Sequence, residues 1–200
     1  MAINLQKGQT INLRKSEFDL SRVTIGLGWK IRERKNDNAD DYDLDAIAFL
    51  LDANGKVHNL GDRLAGGDVV FFNNKQHPSG AVWSSGDNLV GGTGDDDCEQ
   101  IVCLLSQVPE SYTKILFIVS IYKGVQKGQS FGNVEKAYIR AIDASNKEIA
   151  RYALSSEPSY ASKRSMIFAE LYRHSGEWKF RALGDAEETD NFVDILKRYI

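Results

Sequence analysis

Residues 174–183 read His174-Ser175-Gly176-Glu177-Trp178-Lys179-Phe180-Arg181-Ala182-Leu183, and this stretch decides the fold class. Trp178, Phe180 and Ala182 alternate with Lys179 and Arg181, so an extended chain carries the apolar residues on one face and the cations on the other. A period of two belongs to a half-buried strand, with core on one side and solvent on the other. The His174-Ser175-Gly176 segment supplies residues that tolerate a positive φ or bond their own backbone, which predicts a hairpin with the apolar run before it.

Outward from this hairpin, short apolar or alternating runs separated by turn signals recur from end to end. Strands are expected over 10–13, 23–29, 44–51, 69–72, 81–83, 100–105, 115–122, 137–143, 148–154, 166–173 and 177–183. A second hairpin turn is expected at Asp52-Ala53-Asn54-Gly55-Lys56. Helical spacing enters only at the end, where Thr189 or Asp190 can cap a helix whose Phe192, Ile195, Leu196 and Tyr199 form one apolar stripe against the sheet. With only 3 prolines and no low-complexity tract there is no signal of a domain boundary. The expectation is a mainly β chain, a two-sheet β-sandwich-like single domain over 1–200 with a short C-terminal helix.

Composition excludes several functions. At 42% hydrophobic and 26% charged residues the chain is neither fibrous nor wholly disordered. A net charge of -3 offers no general attraction for phosphate backbones, so no nucleic-acid partner is expected. Asn4, Gln6, Lys7 and Gln9 stand where a secretory signal needs an apolar core. The apolar run 115–122 is far shorter than the ~20 residues of a membrane helix. These features predict a cytoplasmic protein with no transmembrane segment. Cys98 and Cys103 lack a second Cys or His pair at metal-finger spacing and read as reduced thiols.

The acid is unevenly placed. No Lys or Arg occurs between Lys75 and Lys114, where Asp87, Asp95, Asp96, Asp97, Glu99 and Glu110 all fall. Asp37, Asp40, Asp41, Asp43 and Asp45 form a second cluster, behind the basic run Lys30, Arg32, Arg34 and Lys35, which reads as a solvated hairpin. Crowded carboxylates in the Gly-rich stretch 86–99 repel one another unless water screens them or a hard cation takes them as oxygen ligands, and both readings stay open on the residues alone. Residues 41–52 imitate the start of an EF-hand loop, but Ala46 stands where glycine is required and 46–51 is a strand-like run. Alternation instead puts Asp43 and Asp45 on one face of a strand start, from which they could join the glycine loop in space. His58, His77 and His174 all lie near turn signals without a partner in sequence and read as surface residues, which leaves hydrolytic chemistry without a base. No Gly-rich loop ends in Lys-Ser/Thr, so a P-loop is unsupported.

The chain resembles the TerD family of tellurium-resistance, calcium-binding stress proteins. The resemblance is carried by Gly26-Leu27-Gly28-Trp29, Asp43-Leu44-Asp45-Ala46, Val70-Phe71-Phe72-Asn73-Asn74, Gly80-Ala81-Val82 and Gly86-Asp87-Asn88-Leu89, and again by Phe131-Gly132-Asn133-Val134, Ala150-Arg151-Tyr152 and Glu170-Leu171-Tyr172-Arg173 through Phe180. It implies a β-sandwich that binds Ca2+ without enzymatic activity, through Asp43, Asp45, Asp87, Asn88, Asp95, Asp97 and Glu99. It also implies stress-response and tellurite-resistance roles, and contact with other tellurium-resistance proteins at the cytoplasmic face of the inner membrane. Counted back from Glu99, Cys98 stands where the family usually has aspartate and Asp96 where it has glycine; counted forward from Gly91, the loop carries a one-residue insertion. Alternative readings are a calcium-dependent lectin or membrane-docking adaptor, with Trp29 and Trp83 either gripping the ligand or filling the core, and a metal-dependent hydrolase using paired acids such as Asp95 and Glu99.

Overall fold

The longest apolar runs of the sequence do not alternate, because the strands they form are covered on both faces. The structure, a computed structural model, describes residues 3–4, 7–13, 16–31, 42–85, 97–153 and 158–200. Strands β1 (Ile3–Asn4), β10 (Glu148–Ala153), β9 (Val134–Ile142), β3 (Val23–Ile31), β7 (Glu99–Cys103) and β6 (Val82–Ser84) lie side by side in that order in one sheet. Strands β2 (Thr10–Asn12), β12 (Glu177–Glu187), β11 (Ser165–His174), β8 (Lys114–Ile121), β4 (Leu44–Leu51) and β5 (Val69–Val70) make the other. Neighbours are antiparallel, except that β1 runs parallel to β10.

The two sheets share one core. Val23, Ile25, Leu27 and Trp29 of β3 face Leu44, Ala46, Ala48 and Leu50 of β4 and Ile115, Phe117 and Val119 of β8 in a single buried cluster. The other face of the second sheet is closed by helix α1 (Phe192–Leu196), whose Ile195 and Leu196 pack with Ile47, Phe49, Leu51, Leu116 and Ile118. The Phe49 ring meets those of Phe192 and Tyr199 at 6.3 and 6.1 Å between centroids. Burying Ile195 and Leu196 contributes about 2 kcal/mol each, which ties this five-residue helix down although alone it would be unstable.

Every expected strand is present; Leu44–Leu51 keeps its expected bounds and the others have shifted ends. β5 stops at Val70 because Phe71 and Asn74 exchange backbone hydrogen bonds of 3.1 and 3.0 Å and turn the chain away. Trp178, Phe180 and Ala182 are buried as the alternation requires, and Ser175 and Gly176, at φ 53° and 80°, make the two-residue turn that joins β11 to β12. The opposite face of β12 is not plain solvent: Arg181 pairs with the buried Glu170, which also holds Lys114 Nζ at 3.0 Å. The turn at 52–56 does not join two neighbouring strands. Asp52 and Lys56 close it with a 2.8 Å bond, but the chain then runs on to Asp68 before β5 returns to pair with β4. The cap of α1 is Asn191, one residue past the expected pair; its side-chain oxygen accepts from Val193 N at 3.1 Å, while Thr189 Oγ1 accepts from Asn191 N. Among the described residues no helix is long and apolar enough to cross a membrane.

Candidate metal centre

Four of the seven expected ligands lie among the described residues; Asp87, Asn88 and Asp95 fall outside them. Asp43 and Asp45 sit at the start of β4, each 8% exposed, and Asp45 shares its face of the strand with Ile47, Phe49 and Leu51. Glu99 opens β7, is 4% exposed, and reaches across to the edge of β4, where its Oε2 accepts the Ala46 N–H at 2.6 Å. The structure therefore brings Glu99 to the Asp45–Ala46 peptide, joining two acidic segments that are about fifty residues apart in sequence.

Asp97 goes elsewhere. Its side chain, 2% exposed, lies on the outer face of the first sheet, where Oδ1 accepts from Arg140 Nε at 2.7 Å and from the Tyr138 hydroxyl at 3.1 Å, and Oδ2 accepts from Gln100 Nε2 at 3.1 Å. It fits there because Gly26 of β3 has no side chain; a Cβ at Gly26 would collide with the carboxylate, and one at Gly28 with the Tyr138 ring. Arg140 also bonds Glu148, which Arg151 grips with Nε at 2.9 Å and Nη2 at 2.8 Å, and the Arg151 guanidinium lies 4.0 Å above the Tyr138 ring. The Arg151 hydrogen bonds hold the Glu148 carboxyl below its ordinary range, and burial, with Asp97 alongside, pushes the Tyr138 phenol up to about 12.

Among the described residues no three His, Cys, Asp or Glu side chains stand together as a metal-holding group. The donor chemistry of Asp43, Asp45 and Glu99 fits a hard cation, being carboxylate oxygen throughout; Asp97 fits less well, since its charge is already matched by Arg140. Cys98, between the two, is half-buried with its Sγ 3.8 Å from the Trp29 carbonyl, and both cysteines are free thiols. Trp29 is core, fully buried with Nε1 donating to Tyr42 O at 3.3 Å, so it cannot grip a ligand at the surface; Trp83 is half-buried.

A second polar centre was not legible in sequence. His77, expected at the surface, is 3% exposed: its Nε2 lies 3.2 Å from Asp68 Oδ1 and its Nδ1 2.7 Å from Ser79 Oγ. Tyr112 donates to the same Asp68 oxygen at 2.7 Å, and Asp68 Oδ2 accepts the backbone N–H groups of His58 and Asn59. Burial holds His77 below its ordinary pKa against the opposing pull of Asp68, so the ring is neutral near pH 7. Ser79 N donates to Nδ1 at 3.1 Å, and Ser79 Oγ accepts Ala81 N at 3.2 Å. The Ser-His-Asp order is thus built into a tight turn, and its bonds tie that turn to the 57–68 loop.

The two-sheet sandwich is a fold already seen in solved structures. A crystal structure of a homologue of telluride resistance protein TerD from Streptomyces coelicolor shares the fold at a TM-score of 0.65 and 20% identity, over 86% of this chain and 94% of that one. The chain belongs to the TerD domain family, whose model matches residues 1–199. It is 48% identical to tellurium resistance protein TerX of Serratia marcescens over the full length of both. It is also 41% identical to general stress protein 16U of Bacillus subtilis (strain 168), over 92% of this chain and 90% of the other.

Proposed function

We propose that this chain is a calcium-binding module of tellurium resistance and the general stress response, acting by binding rather than by catalysis. The observation that carries the reading is the bond from Ala46 N to Glu99 Oε2, which seats a buried carboxylate at the same strand start as Asp43 and Asp45. Carboxylates buried near one another are costly as anions, and a divalent cation relieves that cost. Oxygen donors select a hard cation, and the six to eight ligands that calcium accepts in loose geometry suit a glycine-rich loop better than the strict octahedron of magnesium. Asp43, Asp45, Asp87, Asn88, Asp95 and Glu99 would hold the ion, with Asp97 joining only by exchanging its Arg140 partner. When bound, calcium would cross-link the acidic loop to the starts of β4 and β7. The names of the relatives, tellurium resistance and general stress, supply the cellular setting. The turn-closing bonds of His77 and Ser79 favour a structural role for that cluster.

The test is a thermal melt of the full chain in chelator, in millimolar calcium and in millimolar magnesium. A ligand that binds only the native state stabilises it by about 2.7 kcal/mol at a hundredfold excess over Kd, so calcium should raise the melting temperature. Identical melting in all three conditions, or a larger rise with magnesium, would sink the reading.

A further inference from the structure

The end of the sandwich away from the acidic strand starts holds an open cavity of about 750 Å³, within the range of small-molecule sites. It lies where β3 begins and β7 ends, between residues 16–21, the β9–β10 turn and the β11–β12 hairpin. Leu13, Phe18, Leu20, Leu105 and Trp178 supply apolar wall.

Two cations line the cavity, and neither is held by a carboxylate among the described residues. The Arg173 guanidinium lies 4.6 Å from the centroid of the Trp178 ring, with Nε donating to Tyr112 O at 3.2 Å and Nη2 to Val108 O at 2.8 Å. Its Nη1 has no hydrogen-bond partner among the described residues. Lys147 Nζ sits 4.5 Å over the Phe18 ring and donates to Glu17 O at 3.1 Å. Ring faces and neutral carbonyls fix both heads in place without cancelling their charge. The acids nearby are otherwise engaged or washed by solvent. Asp143 Oδ1 accepts from the N–H groups of Ser145 and Lys147 and its Oδ2 from that of Asp19, Asp19 Oδ1 accepts from Ser21 N and Oγ, and Glu17 and Glu177 are exposed.

We infer that this cavity binds a small amphipathic organic anion: a carboxylate or phosphate head drawn to Lys147 and Arg173, and a flat or aliphatic body along Phe18, Leu20, Leu105 and Trp178. The half-buried Arg173 and the exposed Lys147, each held by a ring face and a backbone carbonyl beside apolar wall, are what such a ligand requires, and an uncharged body alone would leave them unmatched. The site is separate from the acidic end, so its occupancy is independent of calcium.

The experiment is a fluorescence titration of the full chain, in chelator, with 8-anilinonaphthalene-1-sulfonate and with N-phenyl-1-naphthylamine, which has the same aromatic body without the anion. The sulfonate should bind saturably at one site and roughly tenfold more tightly than the neutral probe, the usual scale of one hydrogen bond to a charged group. Lys147→Gln should weaken the sulfonate roughly tenfold and leave the neutral probe unchanged, and Lys147→Arg should restore it. Far-UV circular dichroism and a urea midpoint matching the parent show that the variant is folded. Displacement of the sulfonate by octanoate or by octyl phosphate identifies the head group. Equal affinity for the two probes, no effect of Lys147→Gln in a folded variant, or displacement by neither competitor overturns the inference.

Discussion

The two ends of the sandwich use carboxylates in opposite ways. At the cavity end Asp143 is fully engaged by backbone: three N–H groups, from Asp19, Ser145 and Lys147, converge on its two oxygens and fix the β9–β10 turn against the segment before β3. At the other end Glu99 Oε2 accepts the Ala46 N–H from across the sandwich, at the strand start that also carries the buried Asp43 and Asp45. A carboxylate surrounded by donors is stabilised by the fold itself, whereas in the proposed calcium reading the acids at the β4 start would gain further stabilisation from a cation. Acid content does not separate the two cases; what each oxygen faces does.

The largest effect should come from the self-sufficient end. Asp143→Ala strands three N–H groups around a buried position and should cost about 3 kcal/mol in urea unfolding, equally in calcium and in chelator. A cost that appears only in calcium would erase the contrast between the ends. Glu99→Gln should behave in the opposite manner, losing most of the roughly 2.7 kcal/mol that calcium adds at a hundredfold excess over Kd while changing the chelated protein little. A large drop in chelator would move Glu99 into the same category as Asp143.

Arg140→Met sharpens the acidic end by separating Asp97 from Glu99. It leaves the Asp97 carboxylate, 2% exposed, without its cation, at a cost of about 2 kcal/mol in chelator, reduced from a fully buried pair because Arg140 itself is 22% exposed. If Asp97 then becomes available to calcium, the metal restores part of the loss, and calorimetry reads it as tighter binding; unchanged affinity leaves Asp97 a purely structural anchor.

The smallest effect concerns Asp68, which combines both habits by accepting backbone N–H groups and a histidine. Because burial lowers His77 from its ordinary 6.5, the unfolded chain takes up the proton first as pH falls. The contribution of the neutral ring is therefore present above about pH 6.5 and is lost progressively below it, down to the folded-state pKa. His77→Gln should flatten the acid limb of stability against pH as it falls below about 6.5. An unchanged slope would show that another group titrates there.

Much of the fold can be read from local pattern and little of the polar chemistry can. Trp178, Phe180 and Ala182 declare their face by alternation, and the continuous run in β8 announces a strand covered on both sides. β1 escapes notice because two residues carry no period and its pairing with β10 is distant. Asp97 and Glu99, two apart, look alike in sequence and part company because β3 presents Gly26 to one and β4 presents the Ala46 N–H to the other. The same holds for His77, whose partners Asp68 and Tyr112 arrive from either side along loops with no shared spacing. Register between distant strands decides these meetings, and no local pattern encodes it.

The pairing of β2 with β12 has a kinetic consequence. Asn12 meets Lys179, Ile11 meets Phe180 and Thr10 meets Arg181, joining positions roughly 170 residues apart along the chain. β3 likewise waits for β7 and β9, and β4 for β8, so most strand edges stay open until a remote segment arrives. Chains dominated by such distant pairings fold over roughly milliseconds to seconds rather than microseconds. During that interval the apolar runs of β4 and β8 lie bare with unpaired edges, which makes newly made copies vulnerable to sticking to one another. A protein of a stress-response family therefore passes through its own most fragile moment at the start of its life, before either end of the sandwich exists.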